Sequence, residues 1–142
     1  MEFSQRHTLM GAAISLATML TYLTIVTVRA TTDGLPLTQV SWQAPMLWCV
    51  GLGAAIYALV YAALRARHRG ERVADERTER IDHQAEFAGS GLTGLGVLAA
   101  LVLLAVGAEA FWVAHTLLIV TWLGSLAGSA VAIAAYRGGL DR

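Results

Sequence analysis

The 142-residue chain contains no lysine, no asparagine and a single cysteine, and only 14% of its residues are charged. Charge that sparse excludes a soluble domain with an ordinary solvated surface. One cysteine, Cys49, allows no intramolecular disulfide and no cysteine-rich metal site. The ten basic residues are all arginine and are balanced by ten carboxylates, so the positive excess on which nucleic-acid binders rely is missing and no nucleic-acid partner is expected. Enzyme signatures are absent as well. There is no P-loop, no G-x-S-x-G, no H-E-x-x-H and no cysteine pair for redox chemistry. The hydrophobic runs carry no central Asp, Glu or Arg of the kind that proton-coupled transporters use. The reading leans away from catalysis, and no cofactor is implied.

What the chain has is hydrophobic length, at 56% of residues. A bilayer core about 30 Å thick needs roughly 20 uncharged residues per spanning helix, and four stretches qualify: 8–28, 45–64, 87–108 and 110–136. The first is longer than a signal-peptide core and no small-x-small site closes it before Arg29, so it is expected to stay in the protein. The fold expected is all-α, a single integral-membrane domain over 1–142 built as a four-helix bundle in the lipid bilayer. Arginine placement sets its orientation, because basic short loops stay cytoplasmic. Six arginines lie between the second and third spans, with Arg6, Arg137 and Arg142 at the termini and only Arg29 on the other side. Both termini are therefore expected inside. Trp42, Trp48 and Trp112 fall near the outer ends, where an interfacial belt would lie. Between the first two spans, Asp33-Gly34 is a turn signal and Ser41 a candidate cap for the second span.

Lipid supplies no hydrophobic drive between helices, so close packing needs small or hydrogen-bonding side chains. Gly124, Gly128 and Ala132 share one face of the fourth span and mark a helix-packing seam, either inside the bundle or with a second copy. Gly89 to Gly96 thin the third span. Together these features suggest a homo-oligomer, most simply a two-fold dimer. Ser15, Thr18, Thr21 and Thr24 form a hydroxyl row in the first span. They would line a polar pathway if they faced a passage; the alternative is that each hydroxyl bonds back to the carbonyl one turn earlier. Glu109 and His115, at the hairpin between the last two spans, would extend such a pathway as a proton relay if both faced one cavity. Otherwise Glu109 marks the aqueous turn, and His115 snorkels or bonds a hydroxyl of span one.

Residues 65–86 are the one water-soluble feature of any size, with six arginines, six carboxylates and two histidines. Ala74, Thr78, Ile81, Ala85, Ala88 and Leu92 recur in steps of four and three, predicting one helix that continues from water into the third span. Glu79, Asp82, His83 and Glu86 lie on adjoining strips of that helix and are candidate ligands for Zn²⁺, Mn²⁺ or Fe²⁺. Against this, one helix offers too few ligands to close a site, and a solvated face explains the same residues.

The run Asp75-Glu76-Arg77-Thr78-Glu79-Arg80-Ile81, leading directly into a hydrophobic span, resembles the D-E-R-x-x-x-I signature of the small bacterial membrane proteins grouped as DUF2178. The resemblance covers mainly 75–104, with the four-span layout agreeing more loosely. It implies a bacterial inner-membrane protein and brings no catalytic residues with it. The function expected is a scaffold or regulatory subunit acting through helix association, with 65–86 offered to a cytoplasmic protein partner. The competing readings are a channel or transporter for a small solute or ion, and a metal-dependent membrane enzyme.

Overall fold

The computed structural model describes residues 3–67 and 76–136, with side-chain surroundings given for 8–66 and 80–136. Four long helices account for nearly all of it: α1 (Phe3–Asp33), α2 (Gln43–Arg67), α3 (Glu76–Ala105) and α4 (Ala110–Tyr136). Each contains a segment long and apolar enough to cross a membrane: Thr8–Asp33, Gln43–Ala66, Arg80–Ala105 and Ala110–Tyr136. This is an all-helical, multi-pass membrane layout, in which every backbone polar group within a span bonds along its own helix. α3 does run unbroken from the charged segment into its span, with Ile81 buried and Ala85, Ala88 and Leu92 half-buried on the expected seam. Ala74 lies outside the described residues.

Where the helices end is a matter of backbone chemistry more than hydropathy. α1 continues past Arg29 to Asp33 and stops where Gly34 adopts a left-handed φ of 63°. There the Leu35 amide reaches back to the Ala30 carbonyl at 3.1 Å, a bond that closes a helix C-terminus. α3 ends in the same way. Gly107 has φ 73°, its amide bonds Leu104 O at 3.1 Å, and the Ala108 amide bonds Leu103 O at 2.9 Å. This pair of bonds turns the chain straight into α4. Between α1 and α2, a 3₁₀ turn over Leu37–Gln39 carries the chain to the buried Val40. The start of α2 differs from expectation by one residue: Trp42, not Ser41, supplies the first carbonyl, accepting from the Met46 amide at 3.0 Å. The Ser41 carbonyl instead accepts from Arg29 Nη1 at 3.1 Å, which ties the end of α1 to the start of α2.

The helices pair in the order α2–α1–α4–α3, an open row; α2 and α3 share no comparable interface. The tightest pair is α3–α4, an antiparallel hairpin. A Cβ placed on Gly124 would lie 2.7 Å from the Gly89 carbonyl oxygen, and one on Gly128 would lie 2.8 Å from that of Ala85. Only glycine lets two backbones approach so closely. Farther along the hairpin, Gly96 lies directly under Val120. At the open end of the hairpin, where α3 begins and α4 ends, Ile81, Ala132 and Ala135 form a small buried cluster, and the Tyr136 hydroxyl donates to Asp82 Oδ1 at 3.1 Å. The Gly124–Gly128–Ala132 face is thus occupied within the chain. α1 meets α2 more loosely, with Thr18 over Gly53 and Tyr57 beside Gly11. Among the described residues of α2, Pro45 alone is buried.

Candidate functional site

The one buried polar side chain among the described residues is His115, 8% exposed, on the second turn of α4. Its ring is held at both nitrogens. Nδ1 lies 2.7 Å from the Phe111 carbonyl, one turn earlier on α4. A carbonyl oxygen only accepts, so Nδ1 carries the proton and donates. Nε2, 2.6 Å from the Tyr22 hydroxyl of α1, is then the acceptor, and Tyr22 donates to it. Tyr22 is itself 1% exposed. The pair forms a hydrogen-bonded bridge across the α1–α4 contact, which is the contact that joins the α1–α2 half of the row to the α3–α4 half.

Aromatic rings enclose the bridge. Phe111 stacks on the imidazole with centroids 3.9 Å apart, Trp42 meets it edge-on at 5.3 Å, and Trp122 lies against Tyr22 at 6.1 Å. Met19, Val26, Met46, Cys49 and Leu118 complete the cluster. With water excluded, a hydrogen bond of this kind resists exchange, and leaving either partner unpaired is costly. Trp42 was expected in an interfacial belt. It turns inward and packs on His115 and Phe111, whereas Trp48 (78% exposed) and Trp112 (53% exposed) keep outward positions.

The hydroxyl row of α1 behaves as single-helix chemistry. Thr18, Thr21 and Thr24 each donate to the carbonyl four residues earlier, those of Ile14, Ala17 and Leu20, at 2.8 Å. Thr21 and Thr24 are exposed, Ser15 is half-buried, and Thr18 packs on Gly53. Tyr22, one residue from Thr21 yet turned to the other side, makes the contact that matters. Nor does Glu109 join His115. It is exposed, and its carbonyl accepts from the Trp112 and Val113 amides at 3.0 and 3.4 Å as α4 begins; negative charge is favourable at that helix end.

Of the four candidate metal ligands, Asp82, His83 and Glu86 are exposed on α3, and Asp82 accepts from Tyr136. The Glu79 side chain lies outside the described residues. Among the described residues, no group of three His, Cys, Asp or Glu side chains is placed to hold a metal ion. Comparison with protein-family models, with curated proteins and with solved structures finds no match to this chain. The resemblance to DUF2178 therefore rests on the Asp75–Ile81 motif with the span that follows it and, more loosely, on the four-span layout.

Tyr22, Phe111, Trp42 and Trp122 are absent from the sequence-based candidates for this site. The available signal was His115 itself, because an imidazole within a span needs a partner at the same depth on another helix. A hydroxyl of span one was the expected alternative to snorkelling, and tyrosine is the residue of that span that can reach across an interface.

Proposed function

We propose that this chain is a small scaffold or regulatory subunit of the bacterial inner membrane that works by helix association and presents residues 65–86 to a cytoplasmic protein. The observation that carries this reading is the open row. The inner helices α1 and α4 each pack on two others, whereas α2 and α3 each pack closely on one neighbour alone. Here α2 leaves Leu47, Trp48, Leu52 and Leu59 between 61% and 78% exposed, and α3 leaves Phe87, Leu95 and Leu98 at 60% or more. Such faces are available to other membrane helices, with which the chain forms a homo-oligomer. The DUF2178-like motif supports the bacterial setting.

The transport reading needs hydroxyls that face a passage, and the threonines of α1 bond to their own helix. Thr21→Val is accordingly expected to leave thermal stability within about 0.5 kcal/mol of wild type. Liposomes containing either protein should show no saturable flux of small solutes or ions. A specific flux that vanishes with Thr21→Val would overturn the scaffold reading.

The arginine distribution supports a cytoplasmic position for both termini and residues 65–86. Single cysteines at Thr38 and Thr78 in a Cys49→Ala background test this with a membrane-impermeant thiol reagent on intact cells. Label is expected at position 38 and absent at 78; the reverse pattern would invert the topology.

A further inference from the structure

We propose that the two open edges of the row are made for each other: α2 of one copy docks on α3 of the next, so that a second copy of this chain is the partner. This rests on the helix-association reading and names the surface and the occupant. Three observations converge on it.

The first is exposure at matched spacing. On α3, Phe87, Gly91, Gly94 and Leu98 recur in steps of four, three and four, and all are exposed. On α2, Gly51, Ala54, Ala58, Tyr61 and Arg65 recur in steps of three, four, three and four, and all are exposed. Steps of this kind make a continuous seam along one helix face.

The second is the contrast among glycines. Gly53, Gly89, Gly96, Gly124 and Gly128 each sit tight against a neighbouring helix, so their missing side chains are used within the chain. Gly51, Gly91 and Gly94 have no atom within 4 Å of where a Cβ would stand. Their smallness does nothing for the single chain, although each costs helix stability.

The third is charge, and it decides the occupant. The last turn of α2 carries Arg65 and Arg67 and no carboxylate, whereas the first three turns of α3, 76–86, carry four carboxylates and two arginines. The end of α2 is therefore positive and the start of α3 negative, and because the helices run in opposite directions both charged ends lie at the same membrane face. Setting α2 of one copy beside α3 of the next with Arg65 level with Glu86 brings Ala58 and Ala54 within one residue of the levels of Gly94 and Leu98. Arg65 and Glu86 are both exposed, and among the described residues neither makes an ion pair. A two-fold dimer through either edge would instead put Arg65 against Arg65 or Glu86 against Glu86. The contact is thus heterologous, and copies follow one another in a ring or a line in one membrane orientation.

Cysteine pairing tests this in the full chain in native membranes. In a Cys49→Ala background, the double variant Ala58→Cys/Gly94→Cys is oxidised with copper phenanthroline and run without reductant. A ladder of dimer, trimer and higher species is expected. Either cysteine alone should give none, and the two single variants expressed together should give dimers that extend no further. Arg65→Glu should reduce the cross-linked fraction roughly two- to five-fold, and adding Glu86→Arg should restore it. Thermal melting of each variant in detergent confirms folding, since these exposed positions leave the single chain unchanged. Three results would overturn the proposal: no intermolecular product from the double variant, equally strong dimers from a single cysteine, or a disulfide formed within one chain. Loss of the ladder with solute flux still absent would remove the second copy as partner and leave association with other proteins standing. Thr21-dependent flux would remove the scaffold reading whether or not the ladder forms.

Discussion

Replacing Gly124 with isoleucine is expected to destabilise the protein by about 3 kcal/mol, in the range for overpacking a close-packed contact. The cause is geometric. A Cβ at this position would lie 2.5 Å from Thr93 Oγ1 and 2.7 Å from the Gly89 carbonyl oxygen. Thr93 cannot simply swing aside, because its hydroxyl is bonded to that same carbonyl at 3.0 Å, and the carbonyl belongs to a helix backbone. Relief requires α3 and α4 to separate, which loosens the Ile81–Ala132–Ala135 cluster as well. Gly94→Ala is the control. No atom lies within 4 Å of its Cβ position, so in dilute detergent the variant should match wild type or gain up to about 1 kcal/mol from reduced backbone freedom. Reversible unfolding in mixed micelles measures both. A Gly124→Ile protein as stable as wild type would mean that the α3–α4 contact is not the seam described.

Tyr22→Ala is expected to cost about 4 kcal/mol, since it empties an aromatic site that is almost completely enclosed. The more informative experiment separates the hydrogen bond from the packing. Tyr22→Phe keeps the ring and leaves His115 Nε2 buried without a donor, at a cost of about 2 kcal/mol. His115→Leu does the converse and strands the Tyr22 hydroxyl, at a similar cost plus the lost stacking on Phe111. The double variant has no polar group left to orphan. It should be more stable than the sum of the single losses predicts, with a coupling of about 1–2 kcal/mol. Strict additivity in the unfolding free energies would show that the 2.6 Å contact contributes nothing as a bridge. Because this bridge sits between the two halves of the row, its loss should also raise amide exchange in α1 and α4 together.

Much of the site was half visible. His115 stood out because an ionisable ring in a hydrophobic span needs a partner, and a hydroxyl of span one was a foreseeable answer. The threonine row drew attention because its residues repeat at intervals of three, but a β-branched hydroxyl one turn from a carbonyl is satisfied by its own helix. Tyrosine has no acceptor within reach on its own helix and projects its hydroxyl outward, so Tyr22 is the residue that crosses to α4. The inward turn of Trp42 was hidden for a related reason: the same amphipathic ring suits an interface and a buried aromatic cluster equally well. The Gly124–Gly128 seam was legible as a seam, but a glycine face looks the same whether its neighbour belongs to the same chain or to another.

The sequence by itself determined the four helices, their approximate extents and the turns between α1 and α2 and between α3 and α4. These follow from local chemistry: uncharged runs of spanning length, backbone bonds made within each run, and left-handed caps at Gly34 and Gly107 where glycine alone is at ease. Only the tertiary structure decided the order α2–α1–α4–α3, the choice of Gly89 as the neighbour of Gly124, and the meeting of Tyr22 with His115. In water, an apolar stripe on a polar helix announces which side is buried. In lipid, a helix is apolar all round and that signal disappears. Pairing then depends on shape and on a few hydrogen bonds between residues as far apart as 93 positions, and neither is written in any local stretch of the chain.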